Sequence, residues 1–313
     1  MERLPPPASG GRRRRLDVAL TEAGLAPTRQ VARRLILAGQ VTVEGRVVRK
    51  PGASIPPGST LRVTGPLPRY VSRGGEKLEA ALNAFPVRVE GVVAMDAGAS
   101  TGGFTDCLLQ HGARLVYAVD VGQGQLAPKL RADPRVRVLE RTNIRYLTAE
   151  LLGGELPELA TIDVSFISLK LVLPAVGRLL KPGGQVIALV KPQFEAGRGR
   201  VGKKGVVRDP RLHREVLYRW GETAREQGFF LLGLIASPLL GSEGNREFLA
   251  WLGWPGLPSP APGEPASRTG EPALPAMAAG AGGLSLDEWR KRCDAVIGGG
   301  PEQGERTGPE HET

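Results

Sequence analysis

The chain has 313 residues and is 41% apolar, enough to bury a core in one large domain or two ordinary ones. No apolar run approaches the ~20 residues of a membrane helix, and residues 1–15 hold prolines and arginines but no apolar stretch of the secretory kind. Cys107 and Cys293, with three scattered histidines, make neither a disulfide framework nor a zinc pattern, so reduced thiols in a cytoplasmic protein without a metal are expected.

Positive charge gathers at the front. Residues 1–65 hold 12 Lys and Arg against 4 Asp and Glu, a net of +8, whereas residues 255–313 hold 5 against 9. The whole chain is +10, so the middle carries +6. A basic head on a basic body points to a polyanionic partner.

Residues 12–65 read as a small domain. Leu16, Ala19, Leu20 and Ala23 have helical spacing that Gly24 stops. Thr28 caps a second helix that Gly39 ends, with Val31, Leu35 and Ala38 on its apolar side and Arg29 and Arg33 facing out. Val41–Val48 is a hairpin about Glu44-Gly45, and Thr60–Val63 a further strand. The runs Arg15-Leu-Asp17, Thr28-Arg-Gln-Val-Ala-Arg33 and Ala38-Gly-Gln-Val-Thr-Val-Glu-Gly45 resemble the S4 RNA-binding fold. The resemblance implies that outward arginines and the hairpin grip RNA, here Arg29, Arg33, Arg34 and Arg46. A planar guanidinium suits phosphate.

Pro66 and Pro68 mark a linker over 66–72. From 73 to 254, strand and helix patterns alternate. A helix is expected over Glu76–Phe85, then strands over Val92–Met95, Leu115–Val119, Val136–Leu139, Leu159–Ile162, Gln185–Val190 and Phe229–Ile235. Helices are expected between them, over Phe104–Gln110, Leu169–Leu180 and Arg211–Gln227. The alternation predicts a Rossmann-like α/β fold, a parallel sheet with helices on both faces that binds ligand at the strand C-terminal ends. Residues 255–313, with 9 Pro and 11 Gly, bury too little to offset chain entropy and are expected to be mostly disordered. The one helix expected there is an isolated one, Leu284–Ile297, on which Leu286, Trp289 and Cys293 share a face.

The first strand of that sheet runs into Asp96-Ala-Gly98-Ala-Ser100-Thr-Gly102-Gly103-Phe104. A dinucleotide turn needs a second glycine where backbone approaches pyrophosphate, and Ser100 stands there. S-adenosylmethionine has no pyrophosphate but still needs a tight turn. Asp120 ends the second strand, where a carboxylate can accept both ribose hydroxyls of an adenosine. These features favour S-adenosylmethionine over NAD, with Asp96, Gly98, Ser100, Gly102, Gly103, Phe104, Asp120 and Asp163 as its expected contacts. Gly197–Lys204 comes near a P-loop but lacks the Ser or Thr that would hold magnesium. The loop Gly197–Arg208, carrying Arg198, Arg200, Lys203, Lys204 and Arg208, reads instead as a flexible RNA-gripping lid.

Charged residues also stand at the ends of apolar strands. Asp163 lies in Thr161-Ile-Asp-Val-Ser-Phe-Ile-Ser168 and Lys191 in Leu189-Val-Lys-Pro-Gln-Phe-Glu195. Glu247 follows the sixth strand in Gly244-Asn-Arg-Glu-Phe-Leu249, and Lys77 lies in Ser72-Arg-Gly-Gly-Glu-Lys77. Together they resemble the Lys-Asp-Lys-Glu tetrad of FtsJ-like ribose 2′-O-methyltransferases. With its S4-like head, the chain over residues 12–252 is similar to the TlyA, or hemolysin A, family of ribosomal RNA 2′-O-methyltransferases. The resemblance implies methyl transfer to cytidine ribose, with ribosomal RNA or ribosomal subunits as partner. Lys191 becomes the base or the orienter of the hydroxyl, while Asp163 and Glu247 hold the two lysines. Glu243 is the second choice for the fourth member. Two rival readings stay open at this point: a non-catalytic RNA-binding or ribosome-assembly factor, and a hemolysin.

Overall fold

A computed structural model describes residues 13–26, 28–65, 68–197, 199–202, 205–256 and 283–299. The chain divides into two units, residues 1–72 and 73–313. The first contains β1 (Arg14–Arg15), α1 (Leu16–Glu22), α2 (Arg29–Leu37), β2 (Val41–Val43), β3 (Arg46–Val47), β4 (Ser54–Ile55) and β5 (Leu61–Val63). Leu16, Leu20, Val31, Leu35, Ile36, Val41 and Leu61 form its buried core, at the helical and strand spacings seen in the sequence. The Thr28 hydroxyl accepts from the Val31 N–H at 3.2 Å, capping α2. Antiparallel pairing gives the order β3-β2-β5. Asp17 is wholly buried under two arginines. The Arg15 guanidinium holds its carboxyl down at about 2, with burial opposing and Arg29 assisting.

The second unit contains α3 (Gly74–Ala84), β6 (Val93–Ala97), α4 (Gly103–Gln110), β7 (Leu115–Val119), α5 (Pro128–Arg131) and β8 (Val136–Leu139). It continues with β9 (Leu159–Ile162), α6 (Leu173–Leu179), β10 (Gln185–Val190), α7 (Pro192–Glu195), α8 (Pro210–Glu226), β11 (Phe230–Ala236), β12 (Phe248–Gly253) and α9 (Leu286–Gly298). The sheet order is β11-β12-β10-β9-β6-β7-β8. The fold class is as expected, but the sheet has a seventh strand. β12 runs antiparallel to both β10 and β11, wedged between them. Its Phe-Leu-Ala-Trp-Leu-Gly run has no alternation because both of its faces are covered, so it read as the tail end of a motif.

The tail differs more sharply. α9 is not isolated: Trp289, Cys293 and Ile297 are buried in the main core. Ser285 and Glu288 form a capping box at its start, and the Leu284 N–H donates to the Leu231 carbonyl at 2.7 Å. Averaging composition over 255–313 diluted a 13-residue amphipathic helix in its Pro- and Gly-rich surroundings. The rest of the tail lies outside the described residues. Both cysteines are free and buried, and burial pushes the Cys293 thiol up to about 12. Among the described residues no helix is long and apolar enough to cross a membrane.

Candidate active site

The chain emerging from β6, β7, β8 and β9 lines a cleft of about 480 Å³, within the ~300–1,000 Å³ usual for small-molecule sites. Of the expected cofactor contacts, Gly98, Ser100, Asp120 and Asp163 line it. Gly98 turns the chain at φ +89°. A Cβ there would lie 2.6 Å from the Asp163 carbonyl oxygen, so the close approach of the two strand ends requires glycine. Asp120 faces the turn. Its carboxylate accepts from the N–H groups of Ser100 and Gly122, each at 2.7 Å. A carboxylate has about four lone-pair positions, so it keeps capacity for ligand hydroxyls.

Asp96, Gly102, Gly103 and Phe104 do not line the cleft. Asp96 has no exposed surface. It accepts from the Thr105 N–H (2.8 Å) and hydroxyl (2.7 Å) and from the Thr161 hydroxyl (3.3 Å), tying β6 to the start of α4 and to β9. Burial pushes its carboxyl up to about 7, with the Thr105 bonds opposing and the Asp163 charge adding. A carboxyl raised in the folded state contributes stability below the unfolded value, ~3.9, that is lost as pH rises through about 7. Asp96→Asn has no such proton to lose. Its urea midpoint should therefore gain on the wild type between about pH 4 and 7; parallel pH profiles would rule this out.

The four tetrad positions come together as two ion pairs. Lys77 on α3 meets Glu247, just before β12, with Nζ 2.5 Å from Oε2, and both are buried. Lys191, which follows β10, lies 2.7 Å from Asp163 Oδ1 and donates to Ser165 Oγ at 2.9 Å. The Asp163 carboxylate thus holds the Lys191 ammonium through Oδ1, an atom shielded from solvent. Sheet register does the gathering. Val190 faces Phe248, which makes Lys191 and Glu247 the next facing positions. Ile162 pairs with both Ala97 and Ala188, so the next position, Asp163, comes beside Gly98, and, two residues on, Ser165 comes beside Lys191. Glu243 is exposed, whereas Glu247 is the one buried against Lys77.

Three site residues escaped the sequence reading. Ser165 holds Lys191. Phe166 lines the cleft but is 91% exposed, turned out by φ +64°, with its ring 5.1 Å from that of Phe194. Glu195 accepts from the Ser168 hydroxyl (2.6 Å) and the Leu169 N–H (2.8 Å), clamping the β9 loop to α7. Burial pushes its carboxyl up, with Ser168 opposing. All three lie in runs already singled out around Asp163 and Lys191, but an apolar Phe beside a strand reads as core until its backbone is known.

Arg29, Arg33 and Arg34 line a basic hollow of about 610 Å³ on the first unit, and Arg46 is exposed in the hairpin. Arg29 is partly engaged by Asp17 at 3.2 Å, and Arg34 donates to the Tyr70 carbonyl at 3.4 Å. In the second unit the exposed Arg200 is paired with both carboxylate oxygens of Glu215, at 2.5 and 2.6 Å. Arg198, Lys203 and Lys204 lie outside the described residues.

The sheet order, the glycine turn and the acid closing the second strand define a Rossmann-like methyltransferase domain. Residues 70–254 match the model of the FtsJ-like methyltransferases, and residues 14–61 match that of the S4 domain. The chain belongs to the FtsJ-like methyltransferase family. The Bacillus subtilis protein YqxC is 55% identical over 245 residues, 78% of this chain and 87% of its own. The 16S/23S rRNA (cytidine-2'-O)-methyltransferase TlyA of Mycobacterium tuberculosis is 48% identical over 242 residues, 77% of this chain and 90% of its own. A solved Streptococcus thermophilus protein that carries a hemolysin name superposes with a TM-score of 0.63 at 50% identity, covering 78% of this chain and 90% of that one.

Proposed function

We propose that the chain transfers a methyl group from S-adenosylmethionine to the 2′ oxygen of a cytidine ribose in ribosomal RNA, working on the RNA or its subunit in the cytoplasm. The observation that carries this is Lys191, buried between Asp163 and Ser165 beside the glycine turn and facing the Lys77–Glu247 pair. The TlyA relative acts on cytidine 2′ oxygens by name, which supports the same choice of atom here.

The cleft suits this cofactor. Asp120 would take the ribose hydroxyls, Gly98 and Ser100 would underlie the amino-acid part, and the Asp163 carboxylate, which lines the cleft, would accept from its amino group. When bound, S-adenosylmethionine supplies an electrophilic methyl group. The chain supplies alignment, and alignment of this kind contributes ~7–11 kcal/mol to a barrier. Lys191 is held by Ser165 and Asp163, which leaves its third N–H to orient a ribose oxygen. Lys77, locked by Glu247, adds positive charge where the hydroxyl loses its proton. Phe166 offers an exposed ring on which the target base can stack, worth ~1–3 kcal/mol for single-stranded bases. The arginines of the first unit grip the surrounding RNA by phosphate.

The product identifies the atom. A free 2′ oxygen attacks the neighbouring phosphodiester when RNA is heated in alkali, and a methylated one does not. Ribosomal RNA treated with enzyme and cofactor should show one missing rung in its alkaline ladder, at a cytidine. Methyl incorporation with an unbroken ladder would point to a base and end the ribose reading.

A further inference from the structure

We propose that Arg246 is a positioning residue that fastens the C-terminal helix α9 to the tetrad through its neighbour Glu247; this rests on the reading of Glu247 as a tetrad member. Arg246 and Glu247 lead together into β12 and send their side chains to different elements. Glu247 reaches Lys77 on α3. Arg246 reaches the last turn of α9, where Nη1 donates to the Ile297 carbonyl at 3.0 Å and Nη2 to the Val296 carbonyl at 2.7 Å.

The chemistry of that contact is complementary. The last carbonyls of a helix have no partner inside it and carry partial negative charge. A guanidinium presents fixed, diverging donors that can satisfy two of them at once, which an ammonium does less well. The Arg246 guanidinium also lies 5.6 Å from the centre of the Phe248 ring. Burial pushes its pKa down, and the two carbonyls accept from the partly desolvated guanidinium. The helix end it grips is itself anchored, because Trp289, Cys293 and Ile297 are buried and the Trp289 ring N–H donates to the Leu217 carbonyl at 2.9 Å. The Glu247 backbone has its own tie, its carbonyl accepting from the Ser237 N–H at 2.9 Å. With the Arg246 side chain bolted on one side and this bond on the other, the direction in which Glu247 leaves the chain is set. So is the place where it holds the Lys77 amine. A segment more than thirty residues beyond the sheet thus helps to shape the site.

The test uses the full chain in four forms: wild type, Arg246→Ala, Glu247→Gln and the double variant. With cofactor saturating, Arg246→Ala should lower kcat by ~10-fold or more, as small misplacements of reacting groups do, with the cofactor dissociation constant unchanged. Arg246→Lys should recover part of the loss. The double variant should turn over within ~2-fold of Glu247→Gln alone, because the two residues act as one unit. Full kcat in Arg246→Ala, even with a lowered urea midpoint, would make Arg246 a plain structural anchor and overturn the proposal, as would losses that simply add in the double variant. If Glu247→Gln itself keeps full turnover, the tetrad reading fails and this proposal fails with it. If Glu247→Gln is slow and Arg246→Ala is normal, only this proposal fails. Should Arg246→Ala not fold, Arg246→Gln, which retains one donor, carries the same comparison.

Discussion

Lys191→Ala is expected to cut kcat by ~10²–10⁴-fold, the range for loss of a positioned proton-handling group, while leaving cofactor affinity close to wild type. The amine is held by Asp163 and Ser165, which line the cleft, whereas the proposed ribose contact, Asp120, is a different lining residue. Lys191→Arg should not restore the rate. A guanidinium is longer and planar, and it would not fit the place of a compact ammonium between those two partners. Asp120→Ala should fail in the opposite way. Losing a charged acceptor costs about 1.5–3 kcal/mol, or ~10–100-fold in cofactor dissociation constant, and it also leaves the Ser100 and Gly122 N–H groups without their acceptor. Turnover and cofactor titration of the two variants, read side by side, check both assignments. Full turnover in Lys191→Ala would remove that lysine from the chemistry and leave the fold and family untouched.

Trp289→Ala should destabilise the second unit by about 3–5 kcal/mol, the usual cost of truncating a buried Trp. The Trp289 side chain is fully buried, its ring lies 5.8 Å from that of Trp220, and its N–H is satisfied by the Leu217 carbonyl. Position 221 is glycine because the Trp289 ring occupies the space that a side chain there would need. Removing residues 283–313 should cost at least as much, since Cys293 and Ile297 leave with it. The surface pairs Arg214–Asp294 and Arg290–Glu222 add little to that figure. Asp287→Ala on the exposed face of α9 is the control and should stay within about 0.5 kcal/mol of wild type. Urea denaturation followed by tryptophan fluorescence and circular dichroism measures all three. A wild-type midpoint for Trp289→Ala would show that the helix does not bear on the core.

These two variants fall on opposite sides of what the sequence reveals. Lys191, Asp163 and Glu247 were legible because chemistry at the end of an apolar strand interrupts a pattern, and an interruption is local. Asp96 was legible as a position but not in its role. Its neighbours in sequence made it a cofactor contact, whereas Thr105 and Thr161 draw it into the wall of the fold. Arg200 looked like a free cation until α8 brought Glu215 beside it.

The sequence by itself determined the alternation of strands and helices, the two-part organisation and the glycine turn, and it singled out the four charged residues that the fold brings into two ion pairs. Each of these is a matter of local spacing, backbone freedom or a charge set against an apolar background. Only the tertiary structure decided that β12 enters the sheet antiparallel, that each lysine is paired with its own carboxylate, that Phe166 turns outward, and that α9 closes the core. Those outcomes depend on which surfaces meet across long stretches of chain. A 13-residue amphipathic helix behind a Pro- and Gly-rich segment has no partner that its own residues can name, and it becomes part of the fold only when α8 and β11 present the apolar face that Trp289 fills.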